Sequence, residues 1–183
     1  MEHNAVMNEK DEVIYKRFLE EGNSDDMKEL MRRHRESLTL FLYGIVHNME
    51  DAEELMLDAF VVAGMGRSRF RGSSSFKSWL FAIGRNQAIS LIRKQRRSVL
   101  PLNENLIEEN TPEMELLRKE QNRQLYSAIN ALNPDYRQTL YLIYFEEMST
   151  EEVGRVMKKS RKQIYNLVQR SKGALRRELE KID

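Results

Sequence analysis

The sequence predicts an all-α protein of two small helical domains joined by a flexible linker, the C-terminal one containing a helix-turn-helix. Three observations carry that expectation. Glycine and proline are scarce, 8 and 3 of 183 residues, while 32% of the chain is charged, the composition of helices with solvated outer faces. Apolar residues recur three and four apart through most of the chain. A polar, acidic stretch without that period, bracketed by Pro101 and Pro112, separates the two periodic regions. Domains run to roughly 100–150 residues and can be as short as about 50, so two fit this length. The expected bounds are 10–98, a linker at 99–112, and 113–181.

In the first region Val13, Ile14, Phe18 and Leu19 predict a helix from Asp11. Ser24, Asp25 and Asp26 then cap a second, long helix starting near Met27 and carrying Leu30, Leu38, Phe41, Leu42 and Ile45. Asn48 caps a third, with Asp51 three residues on. Ala52, Leu55, Met56, Ala59, Phe60 and Ala63 share one face of it, and Glu50, Asp51, Glu53, Glu54 and Asp58 crowd its early turns. Gly64, Gly66 and the run Arg71-Gly72-Ser73-Ser74-Ser75 break the period and predict a basic loop. A fourth helix begins near Phe76, holds Trp79, Leu80, Phe81, Ile83, Leu91 and Ile92, and ends in Arg93-Lys94-Gln95-Arg96-Arg97.

Beyond the linker, Thr111-Pro112 and Asn133-Pro134 each read as an N-cap followed by proline at the first helical position, and Leu125, Ile129 and Leu132 form a stripe between them. Ser149-Thr150-Glu151-Glu152 is a capping box opening a short helix with Val153, Val156 and Met157 inward. A second box, Ser160-Arg161-Lys162-Gln163, follows three residues after Met157, and two capped helices so tightly joined predict a helix-turn-helix. In the second of them Ile164, Leu167, Val168, Ser171 and Leu175 share the packing face. Lys162, Tyr165, Asn166 and Gln169 lie opposite, with Arg161, Arg170, Lys172, Arg176 and Arg177 around them. Those types hydrogen-bond base edges and grip phosphates.

A net charge of +1 hides a segregated pattern. Residues 1–66 hold 7 Lys/Arg against 15 Asp/Glu, whereas 67–99 hold 9 basic residues and no acid; 100–157 hold 5 against 11, and 158–177 hold 8 and none. Two acid-free basic stretches predict two meetings with a polyanion, because cations near phosphates gain affinity by releasing counterions. Cysteine is absent, and His3, His34 and His47 show no metal-hydrolase spacing, so no metal or other cofactor is expected and no catalytic residue is named. The acidic start lacks the features of a secretory signal, and the longest mostly apolar run, 38–46, is far short of the roughly 20 residues of a membrane span, so a cytoplasmic protein without membrane insertion is expected.

The residues Asp51-Ala52-Glu53-Glu54-Leu55-Met56-Leu57-Asp58-Ala59-Phe60, then Phe76-Lys77-Ser78-Trp79-Leu80, Ile83-Gly84-Arg85-Asn86 and the Arg93–Arg97 cluster, resemble the extracytoplasmic-function (ECF) sigma factors of bacterial RNA polymerase. A second block matches in the right order: Ala131-Leu132-Asn133-Pro134-Asp135-Tyr136-Arg137, Met148-Ser149-Thr150-Glu151-Glu152-Val153-Gly154, and the helix from Arg161 to Leu175. Leu57 departs from the glutamine usual in the family, and Lys158 from a small turn residue. The resemblance implies promoter-specific initiation with core RNA polymerase, bound through the beta-prime clamp helices and the beta subunit, and an anti-sigma factor as a further partner. It implies that Asp51, Glu53, Glu54, Leu55, Asp58 and Phe60 contact polymerase. Phe70, Arg71, Ser74, Lys77, Arg85, Asn86, Arg93 and Lys94 would hold the minus-10 element. Arg161, Lys162, Tyr165, Asn166, Gln169, Arg170, Lys172 and Arg176 would read the minus-35 duplex. Trp79 is expected to pack rather than to stack on bases. The competing reading, a dimeric helix-turn-helix regulator independent of polymerase, leaves the acidic third helix and the 67–99 basic block without a role. An enzyme would have only the carboxylates Glu53, Glu54 and Asp58 to draw on.

Overall fold

In the computed structural model, which describes residues 9–66, 70, 72–98, 125 and 127–181, the N-terminal half consists of α1 (Asp11–Glu21), α2 (Ser24–Val46), α3 (Met49–Gly64) and α4 (Phe76–Ser98). Helix α1 stops where Gly22 takes the left-handed conformation (φ 68°) and donates its N–H to the Phe18 carbonyl. Helix α2 starts earlier than expected. Asn23, not Ser24, is its cap and accepts from the Asp25 N–H at 3.0 Å. The shift places Asp26 inside the helix, where it is buried and meets Arg17 of α1. Asn48 caps α3 as expected, accepting from the Asp51 N–H at 2.9 Å.

The C-terminal half has helical residues 127–130, then α5 (Pro134–Leu140), α6 (Thr150–Met157) and α7 (Arg161–Leu179). Asn133 caps α5 with Pro134 in the first turn. Both predicted capping boxes are closed in both directions: Ser149 with Glu152, and Ser160 with Gln163. Between α6 and α7 the chain turns through Lys158 in the left-handed region (φ 54°). The turn is tight enough that a Cβ on Gly154 would lie 2.7 Å from the Lys159 carbonyl oxygen, so only glycine fits there. A π-helical turn at Tyr141–Phe145, closed by the Glu146 N–H to the Tyr141 carbonyl at 3.2 Å, has no counterpart among the sequence signals. The predicted linker and the Thr111-Pro112 helix start lie outside the described residues.

The core is continuous from one half to the other. Leu30, Leu38, Phe41 and Leu42 of α2 pack with Leu55, Met56 and Phe60 of α3 and with Phe76, Leu80 and Phe81 of α4. The same cluster runs on into Leu142, Val153, Val156, Met157 and Ile164. Helix α4 crosses α2 closely at Gly84, where a Cβ would stand 3.3 Å from Leu38 and Leu42 side chains. Helix α6 packs on α4, and α5 on α2. The expectation of two domains therefore holds with an addition: they dock on each other through an apolar seam, exemplified by the Phe41 and Tyr141 rings 5.7 Å apart.

Candidate nucleic-acid interface

Three surfaces are expected from the sequence, and each is placed by the helices that carry it. On α3, Glu53, Glu54 and Asp58 are exposed, and Asp51 is half-buried beside Gln95 of α4. Leu55 and Phe60, expected to touch polymerase, are instead 7% and 3% exposed and belong to the core. They occupy the inward face of α3 together with Ala52, Met56 and Ala59, and a side chain that fills the core is not available to a partner. The outward face carries a different apolar set: Leu57, Val61 and Met65, four residues apart and each about half exposed, at 49, 50 and 59%. An exposed apolar stripe flanked by carboxylates makes this side of α3 a candidate interaction face. The sequence carries a signal for it, since α3 has more apolar residues than one buried face accommodates; Leu55 and Phe60 cannot serve both the core and a partner.

On α7 the eight expected DNA-reading side chains, Arg161, Lys162, Tyr165, Asn166, Gln169, Arg170, Lys172 and Arg176, are all exposed. The helix is turned by burying Ile164 and Ser171, with Leu167 and Val168 half-buried against the core. Arg161 Nε lies 3.0 Å from a Glu151 carboxylate oxygen, tying the start of α7 to α6. Lys172 Nζ stands 5.4 Å from the Tyr144 ring centre, a cation–π contact that connects α7 to the π-helical turn. A basic-and-amide face on a helix whose N-terminus is fixed by a capping box is suited to enter a DNA major groove.

The surface expected to hold the minus-10 strand is in a different state. Arg93 and Lys94 are exposed and, with Ser90 and Arg97, line a shallow basic depression on α4. Asn86 and Ser74 are half-buried, and Arg71 lies outside the described residues. Phe70 joins an aromatic cluster with Tyr15, Phe76 and Trp79, its centre 5.8, 6.3 and 5.4 Å from theirs, and Trp79 packs there as expected. Lys77 and Arg85 face the C-terminal half. The Lys77 ammonium is 2.6 Å from a Glu146 carboxylate oxygen and donates to the Glu146 carbonyl at 3.1 Å. Arg85 is 7% exposed and donates from Nε to Gln138 Oε1 at 2.7 Å. Burial lowers the Arg85 pKa, yet it stays a cation at any physiological pH. Ser75 Oγ donates to Glu152. Burial alone would raise the Glu152 pKa, but the hydrogen bonds from Ser75 and Ser149 outweigh it and hold the carboxyl below its ordinary range.

The seam has polar contacts beyond these. Tyr141 donates its hydroxyl to the Ser37 carbonyl at 3.0 Å, and Arg137 Nη2 lies 3.4 Å from His47 Nε2. In this arrangement the face of α7 is open while two of the cations expected at the minus-10 element are engaged by α5 and the segment that follows it.

The profile of Sigma-70 region 2 matches residues 30–98, and that of Sigma-70 region 4 matches residues 122–175. The chain is 27% identical over 162 residues to the RNA polymerase sigma factor YlaC of Bacillus subtilis, covering 86% of this chain and 94% of that protein. It is 23% identical over 181 residues to the ECF RNA polymerase sigma factor SigW of the same organism, covering 91% and 97%. Among solved structures, CnrH in complex with the cytosolic domain of CnrY matches with a TM-score of 0.70 at 22% identity, over 94% of this chain and 99% of that one. The sigma factor RpoE of Bartonella quintana, solved with the anti-sigma factor NepR, matches with 0.64 at 23% identity, over 86% and 98%. Those two likenesses establish a common fold.

Proposed function

The chain belongs to the ECF sigma factors of the sigma-70 family and directs promoter-specific transcription initiation; on that footing we propose how its surfaces divide the work. The observation that carries the division is the contrast between α3 and α7. One presents carboxylates around an exposed apolar stripe, and the other presents amides, a tyrosine and cations without an acid from Arg161 to Arg177.

Helix α3 is the polymerase-binding surface. Leu57, Val61 and Met65 supply the apolar contact, and Glu53, Glu54 and Asp58, with Asp51 at the edge, pair with cations of the beta-prime clamp helices. Helix α7 reads the minus-35 duplex: Asn166, Gln169, Lys162 and Tyr165 face base edges, while Arg161, Arg170, Lys172 and Arg176 hold phosphates. Phe70, Ser74, Asn86, Arg93 and Lys94, with Lys77 and Arg85 once the halves part, hold the melted minus-10 strand by stacking and by contacts to its backbone. The chain contributes recognition and no catalysis, and it acts in the cytoplasm, where core polymerase and DNA meet. An anti-sigma factor that keeps the two halves docked is a fitting partner; RpoE is solved in complex with the anti-sigma factor NepR.

The deciding experiment is transcription in vitro from a library of genomic promoter fragments with purified core RNA polymerase, with and without the protein. Initiation at a defined subset of promoters that depends on the protein is the expected result. Duplex binding as a symmetric dimer, with no effect on core polymerase, would instead make the chain an operator-binding regulator.

A further inference from the structure

Helix α1 precedes the residues that match the region 2 profile, yet it touches both ends of the segment that joins α3 to α4. At the entrance, the buried Tyr15 hydroxyl donates to the Ala63 carbonyl in the last turn of α3 at 2.9 Å. At the exit, the Phe76 N–H, at the first residue of α4, donates to Glu12 Oε1 at 2.8 Å. Between them the Tyr15 ring meets Phe70 edge-on at 5.8 Å and leans on Phe76 and Trp79 at 4.9 and 5.4 Å.

The helix is itself fixed to α2 by charge. Asp11 Oδ2 lies 2.6 Å from His34 Nε2, and Asp11 Oδ1 accepts from Arg33 at 2.9 Å. Burial raises the Asp11 pKa, but the bonds and charge of His34 and Arg33 outweigh it and keep the carboxyl below its ordinary value. Arg17 bridges Glu9 and the buried Asp26, with Nη1 3.0 Å from Glu9 Oε2 and Nε 2.9 Å from Asp26 Oδ2. A helix held at several points along its length transmits its position to whatever it grips.

We propose that Glu12 and Tyr15 are positioning residues for promoter melting, bracing Phe70 and the first turn of α4 in the geometry that receives the minus-10 single strand. The inference rests on the reading that Phe70, Ser74 and Lys77 meet that strand, and it adds the residues that place them. Backbone N–H groups in the first turn of a helix have no partner within the helix, so the carboxylate of Glu12 fixes where α4 begins. Ser75 acts beside it, accepting from the Ser78 N–H at 3.2 Å. When the C-terminal half leaves, Ser75 loses Glu152 as its acceptor while the Glu12 and Tyr15 bonds stay, since both lie within the N-terminal half. The brace is thus in place when DNA arrives, and a preformed site loses less freedom on binding.

The test uses the full-length protein bound to core RNA polymerase and a labelled single-stranded oligonucleotide bearing the minus-10 sequence of a promoter that the wild-type protein transcribes. Glu12→Ala and Tyr15→Phe are expected to weaken oligonucleotide binding roughly five- to ten-fold each, the loss typical of a hydrogen bond to a charged or buried group. Affinity for core polymerase stays at the wild-type value, and the thermal midpoint falls by no more than the few degrees that one lost hydrogen bond costs. Tyr15→Phe keeps the ring, and the Ala63 carbonyl keeps the Gly66 N–H as a donor at 3.2 Å, so the fold does not depend on the hydroxyl. Glu12→Gln retains a carbonyl acceptor for the Phe76 N–H and is expected to restore most of the binding. Wild-type oligonucleotide affinity in both Glu12→Ala and Tyr15→Phe overturns the proposal, as does a Glu12→Gln protein as defective as Glu12→Ala, or a parallel loss of core affinity. Should Glu12→Ala not fold, Tyr15→Phe and Glu12→Gln decide alone. A wild-type complex that does not bind the oligonucleotide would instead show that the minus-10 surface lies elsewhere.

Discussion

Asn166 and Gln169 stand one turn apart on the exposed face of α7, and an amide side chain can pair with both hydrogen-bonding groups of an adenine edge in the major groove. Replacing either with alanine is expected to relax sequence preference at one or two minus-35 positions, at about 1–3 kcal/mol for each base no longer hydrogen-bonded. Binding of a set of minus-35 variants measures this, and equal weakening on every sequence would reassign the pair to phosphate. At the seam, His47 is held in the left-handed conformation at the end of α2 with Arg137 beside it. Partial desolvation of the ring, and then the Arg137 guanidinium, lower its pKa below the ordinary 6.5. Above that value neither folded nor unfolded chain binds the proton. Below it the unfolded chain takes up a proton that the folded chain resists, so stability is complete above the unfolded pKa and falls as pH drops through about 6.5 toward the folded pKa. His47→Asn tolerates the backbone conformation and cannot titrate, so its thermal midpoint should fall less than that of wild type between about pH 7.5 and pH 5.5. Equal falls would remove His47 from the acid response.

Helix α3 has two unlike faces, one packed into the core and one exposed. Its inward face is cut to the core, so Leu55→Ala is expected to cost about 2–5 kcal/mol of stability, as large-to-small changes in packed interiors do. Its outward face carries no such burden. Leu57→Ser and Val61→Ser are expected to leave the thermal midpoint near wild type and to weaken binding to core polymerase by at least about tenfold, a typical loss for an apolar anchor at an interface. Titration of labelled protein with core polymerase distinguishes the two faces. Core affinity unchanged in both outward variants would move the polymerase surface off this helix. The three-and-four spacing already puts Leu55 and Phe60 on the apolar face with Ala52, Met56, Ala59 and Ala63, and that face is the one buried; the contact with polymerase that the family resemblance implies for these two asked one face to serve twice.

In the whole molecule, the docked halves leave the two surfaces proposed for DNA in opposite states. The basic face of α7 is open, whereas Lys77 is paired with Glu146 and Arg85 is buried against Gln138. On the proposed assignment, DNA would gain these two cations only when the halves separate. The Glu146 side chain is almost fully buried in the contact, and Glu146→Ala leaves the Lys77 ammonium facing a low-dielectric seam without its counter-charge. That substitution is expected to shift the molecule toward the open form. Because the chain has no cysteine, a donor and an acceptor dye can be placed on one introduced cysteine in each half, and energy transfer should fall in Glu146→Ala and in wild type on binding polymerase and promoter. Transfer unchanged by core polymerase and promoter would mean that the docked arrangement is the working one and that Lys77 and Arg85 do not hold DNA.

The sequence by itself determined the helices, their caps and the segregation of charge, because these are set by residues within a few positions of one another. The capping boxes at Ser149 and Ser160, the caps Asn48 and Asn133, and the exposed basic face of α7 follow from local spacing. Even the local signals compete, as the α2 start shows, where Asn23 prevailed over the Ser24-Asp25-Asp26 run. Only the tertiary structure decided that Leu57, Val61 and Met65 of α3 stay exposed, that Glu12 and Tyr15 grip both ends of the α3–α4 connection, and that Lys77 and Arg85 meet Glu146 and Gln138. Each of these depends on contacts between residues far apart in the chain, 64 positions for Phe76 with Glu12 and 53 for Arg85 with Gln138, and no local period encodes such pairs.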